Sequence, residues 1–361
     1  MKGQLGFFDL ADRYAQLSKS GDPLEHLSAT VDFEPFRYRL VKVLKRSDGA
    51  KGGRPPYDPV LMFKILILQA LYGLSDEQAE FQIRDRLSFM RFLGLGLKDR
   101  VPDATTIWLF REQLTRAGAA KKLFERFDAL LRDKGYIAMS GQILDASLIP
   151  APRQHLNDDE KQAIKDGASA DEIWPDQPAK AAQKDVDARW TVKVSKAKSD
   201  AEGRSAPVDI AIPVFGYKNH VGIDRRFGLI RTWLVTDAAA HDGARLREGL
   251  VDADNTASDV WADTAYRSQA NEEYLASIGK VSRIHRKKPK GKPMARHIAK
   301  ANARKSVIRS KVEHVFAGLK DRMGLFVRTI GLDRATTKIG LANIAYNMRR
   351  LIWLDTRNAP A

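Results

Sequence analysis

The stretch GQILDASLI, Gly141 to Ile149, is apolar on both of its alternating faces. A strand of that pattern has to lie inside a sheet covered on both sides, which commits this part of the chain to an α/β arrangement. Asp145 stands in its middle, between Leu144 and Ala146. A second acid has similar neighbours. In DVWADTAYRS, Asp259 to Ser268, the residues Val260, Trp261 and Ala262 read as the end of a buried strand, and Asp263 stands at its mouth. Asp is depleted in strands, and a buried carboxylate is costly unless it is paired or bound to a metal.

The surrounding pattern supplies the rest of a sheet. GYKNHVGID and GLIRTWLVTD flank the turn DRRFG as a hairpin. A helix follows from Asp242, then the strand into Asp263, the helix SQANEEYLASIG and the short strand KVSRI. Two helices close the chain, roughly Ala295 to Arg322 and Ala335 to Leu354. These elements predict a mixed five-stranded sheet, its antiparallel part followed by parallel crossovers, with flanking helices. Residues 150–207 are polar and charged, and read as an insertion with short helices.

Upstream of about Lys134 the chain reads as helices, so a helical domain over 1–134 and an α/β domain over 135–361 are expected. FEPFRYRLVKVLKR, Phe33 to Arg46, is amphipathic and basic, and SDGAKGGRPP, Ser47 to Pro56, is a loop. Asp58 caps the apolar helix Pro59 to Tyr72, and Gly73 ends it. Ser75 and Gln78 form a capping-box pattern, and Asp103 caps ATTIWLFREQL. Two short capped helices around a Gly-bearing turn suit a helix-turn-helix and a plain bundle equally.

Composition narrows the partners. Lys and Arg number 61 against 45 Asp and Glu, a net charge of +16, which favours a polyanion. Nucleic acid is the first candidate and an anionic membrane surface the second. The most apolar run, Val60 to Gly73, is too short for a membrane span and carries Lys64 and Gln69, so it reads as a core helix and no membrane partner is expected. The absence of cysteine excludes disulfides, thiolate zinc sites and cysteine nucleophiles, and suits a reducing cytoplasm. The first residues do not resemble a secretory signal. The seven His show no paired-ligand spacing, and no phosphate-binding Gly-rich loop ending in Gly-Lys-Ser or Gly-Lys-Thr occurs.

Parallel crossovers can set the strands of Asp145 and Asp263 side by side, so that both carboxylates open at one sheet edge. Each acid alone is explained as well by a cap or a salt bridge. Together they form a candidate site for a hard cation such as Mg²⁺ or Mn²⁺. SVIRSKVEHVFAGLKDR offers a third ligand. Ile308, Val312, Val315 and Leu319 make its buried stripe, while Ser306, Arg309, Glu313 and Lys320 line up on another face. A solvated face with an Arg309–Glu313 ion pair is the alternative.

LDAS, WADTAYRS and RSKVEHVFAGLK resemble the three acidic motifs of DDE transposases from bacterial insertion sequences, in the insertion-sequence-five family of the larger insertion-sequence-four-like set. That family's last motif is Tyr, two residues, Arg, three residues, Glu, six residues, Lys. Arg309, Glu313 and Lys320 match it, and Ser306 stands where the family has Tyr. KDVDARW, GYKNHVGID, AAAHDG and PDATTIWLFREQL also resemble family landmarks, so the likeness runs from about residue 30 to 352. It implies an RNase H-like fold in which Asp145, Asp263 and Glu313 hold two Mg²⁺ ions, with Mn²⁺ able to substitute. It further implies cleavage of double-stranded DNA at transposon terminal inverted repeats, strand transfer into target DNA, end recognition by the helical domain, a homodimer on DNA, and a place at the nucleoid. A domesticated, inactive DNA-binding protein and an RNase H-like nuclease without strand transfer are the competing readings.

Within that frame Arg309 and Lys320 would bind phosphates beside Glu313. Tyr266 and Arg267 are candidate DNA contacts, with Tyr266 equally suited to the core. Arg286, Lys287, Lys288, Lys290 and Lys292 form a basic cluster for phosphates or a solvated loop. Trp190 suits either base stacking or packing. His241 and Asp242 sit where a strand passes into a helix, either near the metals or with Asp242 as the N-cap, the preferred expectation.

Overall fold

The computed structural model of the protein describes residues 8–44, 56–195 and 210–358. The loop expected at Ser47–Pro56 therefore falls almost wholly outside the described residues, as does the end of the polar insertion. The chain separates into two compact units: Met1–Tyr136 with Arg322–Gly324 and Gly340–Ala361, and Ile137–Asp321 with Leu325–Ile339.

The first unit holds α1 (Asp9–Lys19), α2 (Pro23–Thr30), α3 (Arg37–Leu44), α4 (Pro59–Tyr72), α5 (Asp76–Asp85), α6 (Leu87–Leu93), α7 (Ala104–Arg116) and α8 (Ala119–Asp133). The caps read from the sequence explain where these helices begin. Asp58 accepts from the N–H groups of Val60 and Leu61, and Gly73 closes α4 in the left-handed region at φ 65°. Ser75 and Gln78 make a reciprocal capping box on α5. Asp103 accepts from Thr106 at the start of α7. Helix α4 is buried on nearly every side, and among the described residues no single helix is long and apolar enough to cross a membrane. The rings of Phe36 and Phe63 lie 4.9 Å apart, and Phe33 meets Phe92 edge-on at 5.7 Å. The helix expected over 33–46 starts instead as a 3₁₀ turn at Glu34–Phe36, around Pro35, and runs on as α3. Helices α4 and α5 bend by 102° across a three-residue turn, an angle that suits a helix-turn-helix. Exposed Glu77 and Asp85 on α5 make that helix a poor partner for phosphate.

The second unit is built on a sheet of six strands. In chain order its elements are β1 (Gln142–Pro150), α9 (Asp158–Lys165), α10 (Ala170–Ile173), α11 (Pro178–Gln183), β2 (Arg189–Ser195), β3 (Ile210–Asp224) and β4 (Ile230–Asp237). Then come α12 (Asp242–Arg245), β5 (Asp259–Trp261), α13 (Gln269–Ser277), β6 (Val281–Ser282), α14 (Arg296–Arg309), α15 (Lys311–Ala317) and α16 (Leu332–Asn358), whose later part belongs to the helical unit. Five strands were expected, and β2 is the sixth. It comes from the polar insertion, where charged neighbours obscure its short alternating run, and it pairs antiparallel with the first half of β3. The second half of β3 pairs with both β1 and β4, again antiparallel. Gly216 sits at the changeover, where a Cβ would come within 2.3 Å of the Ile149 carbonyl oxygen. On its other side β1 pairs with β5 in parallel, and β5 with β6 likewise.

The continuous helix expected over 295–322 is not continuous. It breaks at Ser310, whose hydroxyl donates back to the Val307 carbonyl at 2.8 Å. A side chain that bonds its own backbone competes with the helical ladder. After Ala317 the helix widens into a π-type turn over Gly318–Arg322. Val312, Val315 and Leu319 are buried as their spacing predicts.

Candidate active site

Strand pairing brings two of the acids together. In the parallel ladder Gln142 is level with Val260 and Ile143 with Trp261. Asp145 follows two residues after the last paired position on β1, and Asp263 two residues after the last on β5. Asp263 ends β5 as the N-cap of a 3₁₀ turn over Thr264–Tyr266, and its Oδ1 accepts from the Ala265 N–H at 2.8 Å. Asp145 is 9% exposed. Its Oδ1 accepts from the Ala146 N–H at 2.9 Å, and its Oδ2 faces Arg309 Nη1 at 2.5 Å. Burial pushes Asp145 up to about 7. Arg309 and the Ala146 N–H pull it the other way, and the charges of Asp263 and Glu313 add to the rise. Glu313, near the start of α15, is itself exposed.

Among the described residues, no three His, Asp or Glu side chains stand close enough together to hold a metal ion. Two observations account for this. Bare carboxylates repel, and one oxygen of Asp145 is already engaged by a guanidinium. The donors nonetheless suit a hard divalent cation, because all three are carboxylates from neighbouring elements.

The break at Ser310 changes what the helix motif does. Ser306, Arg309, Glu313 and Lys320 do not share one continuous helical face, because α14 ends at Arg309 and Lys320 lies in the π-type turn. Arg309, expected on phosphate, is turned onto Asp145, and its Nε is buried without a partner. Lys320 is half-buried, and burial followed by the charge of Lys193 holds its ammonium below the usual lysine range. Ser306 Oγ lies 3.5 Å from His285 Nε2.

The remaining candidates divide. Tyr266 is 1% exposed and belongs to the core around Leu246, Leu250 and Leu275, so as placed it is no surface contact for DNA. Arg267 leans on Glu272 at 3.4 Å and donates to the Ile284 carbonyl. Arg286, Lys287, Lys288, Lys290 and Lys292 are all exposed. The Arg286 backbone is pinned in both directions by Asn302. Trp190 packs its ring 5.3 Å from that of Phe215 and also meets the Arg153 guanidinium, while its outer part is open.

At the start of α12 the cap is His241 and not Asp242. His241 Nδ1 accepts from the Gly243 N–H at 3.2 Å. Asp242 already lies in the first turn and pairs with Lys218 Nζ at 2.8 Å, and Lys218 also donates to the Ala240 carbonyl. Behind this pair lies a residue that sequence reasoning missed. His220 faces Ala146 across the β1–β3 ladder and is fully buried. Its Nε2 lies 2.9 Å from Thr236 Oγ1, and its Nδ1 lies 4.0 Å from Asp242 with no hydrogen bond. Burial lowers it to about 4, so it is neutral at pH 7. GYKNHVGID contains His220 and Lys218, but only the pairing shows that they back onto Asp242. Asn271, also buried and also missed, donates to the carbonyls of Gly243 and Tyr266 at 2.8 and 2.7 Å.

Two family models match the chain. The one described as "Transposase DDE domain" covers residues 136–348, well over half of the sequence, and "Transposase domain (DUF772)" covers residues 12–113. No solved structure matches the chain.

Proposed function

Because the chain belongs to the transposase family defined by the DDE domain, we propose that it cleaves DNA at the ends of a transposable element and joins those ends to target DNA, on an RNase H-like fold and as a member of the insertion-sequence-five group. What supports this is the parallel pairing of β1 with β5, which sets the strand carrying Asp145 beside the strand that leads into Asp263, with Arg309 of the third motif on Asp145. Asp145, Asp263 and Glu313 would hold divalent cations, two Mg²⁺ or Mn²⁺. When bound, such ions supply Lewis-acid activation of a water or a 3′-hydroxyl and neutralise the leaving oxygen.

The chain's own residues do the rest. Arg309 pairs with Asp145 and has the planar fork to grip a phosphate. Lys320, partly dehydrated, places a point charge near Glu313. The exposed basic loop from Arg286 to Lys292 binds backbone phosphates without regard to sequence. The helical unit recognises element ends, and two protomers bring two ends together as a C₂ dimer on DNA.

The competing reading is a DNA-binding protein that no longer cuts; such a protein is expected to lose an acid, and Asp145, Asp263 and Glu313 are all present. Cleavage of labelled element ends with Mg²⁺, with Ca²⁺ and with EDTA separates the two. Mg²⁺-dependent nicking lost in Asp145→Asn, Asp263→Asn and Glu313→Gln, with end binding retained, is the expected result. End binding without cleavage under any condition would leave only the second reading.

A further inference from the structure

Two arginines of the helical unit meet where the fold gives them no acid. Arg322 comes from the short segment Arg322–Gly324 and Arg349 from the later part of α16, and both belong to that unit. They line one cavity of about 520 Å³, together with Leu24, Leu71, Tyr72 and Trp353. Both reach solvent, and among the described residues neither forms an ion pair. The acids at the start of α2, Asp22 and Glu25, are both paired with Arg91. Burial, and after it the charge of Arg322, holds Arg349 below the usual arginine range. Two like charges facing one hollow are destabilising by themselves, and an anion between them reverses the sign.

The positive charge continues along α16. Trp353, exposed in the same lining, carries the guanidiniums of Arg350 and Arg357 over its ring, at 4.0 and 4.1 Å from the centroid. The partial negative charge at a helix C-terminus accounts for Arg357, in the last turn. It does not reach back to Arg349, and Arg322 is not on the helix at all.

The other walls of the cavity narrow the ligand. A bare inorganic anion would use the guanidiniums and leave Leu24, Leu71 and the aromatic rings wet. The sugar–phosphate backbone of DNA uses both, with phosphates on the arginines and deoxyribose on the apolar wall.

We propose that this cavity grips the backbone of DNA, Arg322 and Arg349 each taking a phosphate while Tyr72 and Trp353 bound the sugar between them. The proposal rests on the DNA-processing function proposed above and gives the helical unit a contact surface of its own. Contacts of this kind fix orientation and carry no sequence information.

The test uses the full-length chain and a short DNA duplex of arbitrary sequence, with binding measured over a range of salt. Replacing Arg322 and Arg349 together with Gln is expected to make the slope of log affinity against log salt shallower by about 1.8, or about 0.9 for each phosphate lost. Arg322→Lys with Arg349→Lys keeps both charges and should keep most of the wild-type slope. Arg84→Gln with Arg116→Gln removes the same charge from ion-paired sites on α5 and α7, and should leave the slope unchanged. An equal fall in this control overturns the proposal, because net charge would then be the cause. So does an equal fall in the Lys variant, which would make altered packing the cause. A Gln variant that keeps its slope but changes the sedimentation of the DNA-free chain would assign the cavity to a second protomer, and also overturns the proposal. If the wild type binds the duplex and the Gln variant matches it, the cavity alone loses its role. If the wild type binds no duplex, the DNA-processing reading falls first and the cavity with it.

Discussion

The guanidinium of Arg309 and the carboxylate of Asp145 meet at 2.5 Å, although 164 positions separate them in the chain. One comes from the end of a helix and the other from the middle of a strand. A cation entering the acidic centre has to compete with this arginine for Asp145 Oδ2. Arg309→Ala is therefore expected to bind Mn²⁺ more tightly than the wild type in the absence of DNA. The same change leaves a mostly buried carboxylate unpaired and should cost on the order of 2 kcal/mol, between the values for exposed and fully buried pairs. Calorimetric Mn²⁺ titration and urea denaturation check the two effects. Weaker Mn²⁺ binding in the variant would show that Arg309 supports the site instead of occupying it.

His220 gives the fold an acid-sensitive component. Its folded value is depressed to about 4 from an ordinary 6.5, so the unfolded chain takes up the proton first. The associated stability is complete above pH 6.5 and is lost as the pH falls towards 4. Its size is on the order of 3 kcal/mol. Substituting glutamine for His220 should flatten that part of the stability profile, whatever it does to stability at pH 7. Parallel profiles for the two proteins between pH 7 and 4 would remove His220 as the cause.

Gly243→Ala tests the packing that sets α12 against the Asp263 turn. The added Cβ would come within 2.4 Å of a backbone carbonyl, so something has to shift. A loss of about 1–3 kcal/mol is expected, as for other overpacked sites. DNA-end cleavage should fall further than that loss of stability explains. A variant as stable and as active as the wild type would mean that the two segments separate easily.

The basic loop should act on affinity and not on folding. Replacing Lys287, Lys288, Lys290 and Lys292 with Gln is expected to change stability by no more than about 0.5 kcal/mol, because all four are exposed. The slope of log affinity for duplex DNA against log salt should become shallower by about 0.9 for each phosphate that the loop no longer neutralises. An unchanged slope would assign the loop to plain solvated surface.

Most of the sheet was legible because β1 could be placed only in an interior, and because β5 ends in the same pattern of apolar residues around an acid. Pairing the two strands in parallel then puts Asp145 on one and Asp263 just past the end of its neighbour. The helix caps at Asp58, Ser75 and Asp103 were legible for a local reason: each uses a side chain two or three residues from the N–H it satisfies. What escaped depends on contacts distant in sequence. The hold of Arg309 on Asp145, the closeness of Lys218 and His220 to Asp242, and the clamp by Asn271 all join separate segments, and spacing along the chain carries no trace of them. β2 escaped because charged residues surround a strand that is itself half exposed. The helix expected over Ala295 to Arg322 is divided at Ser310 because periodicity ignores a serine that bonds its own backbone.

That serine divides the motif into two parts with different footing. Ser310 keeps helical backbone angles, φ −56° and ψ −17°, yet separates α14 from α15. Helix α14, which ends in Arg309, buries none of its residues, whereas Val312, Val315 and Phe316 fasten α15 and its Glu313 to the core. A spacing of four residues, which on paper signifies a shared face, here joins a helix lying wholly on the surface to one rooted in the interior.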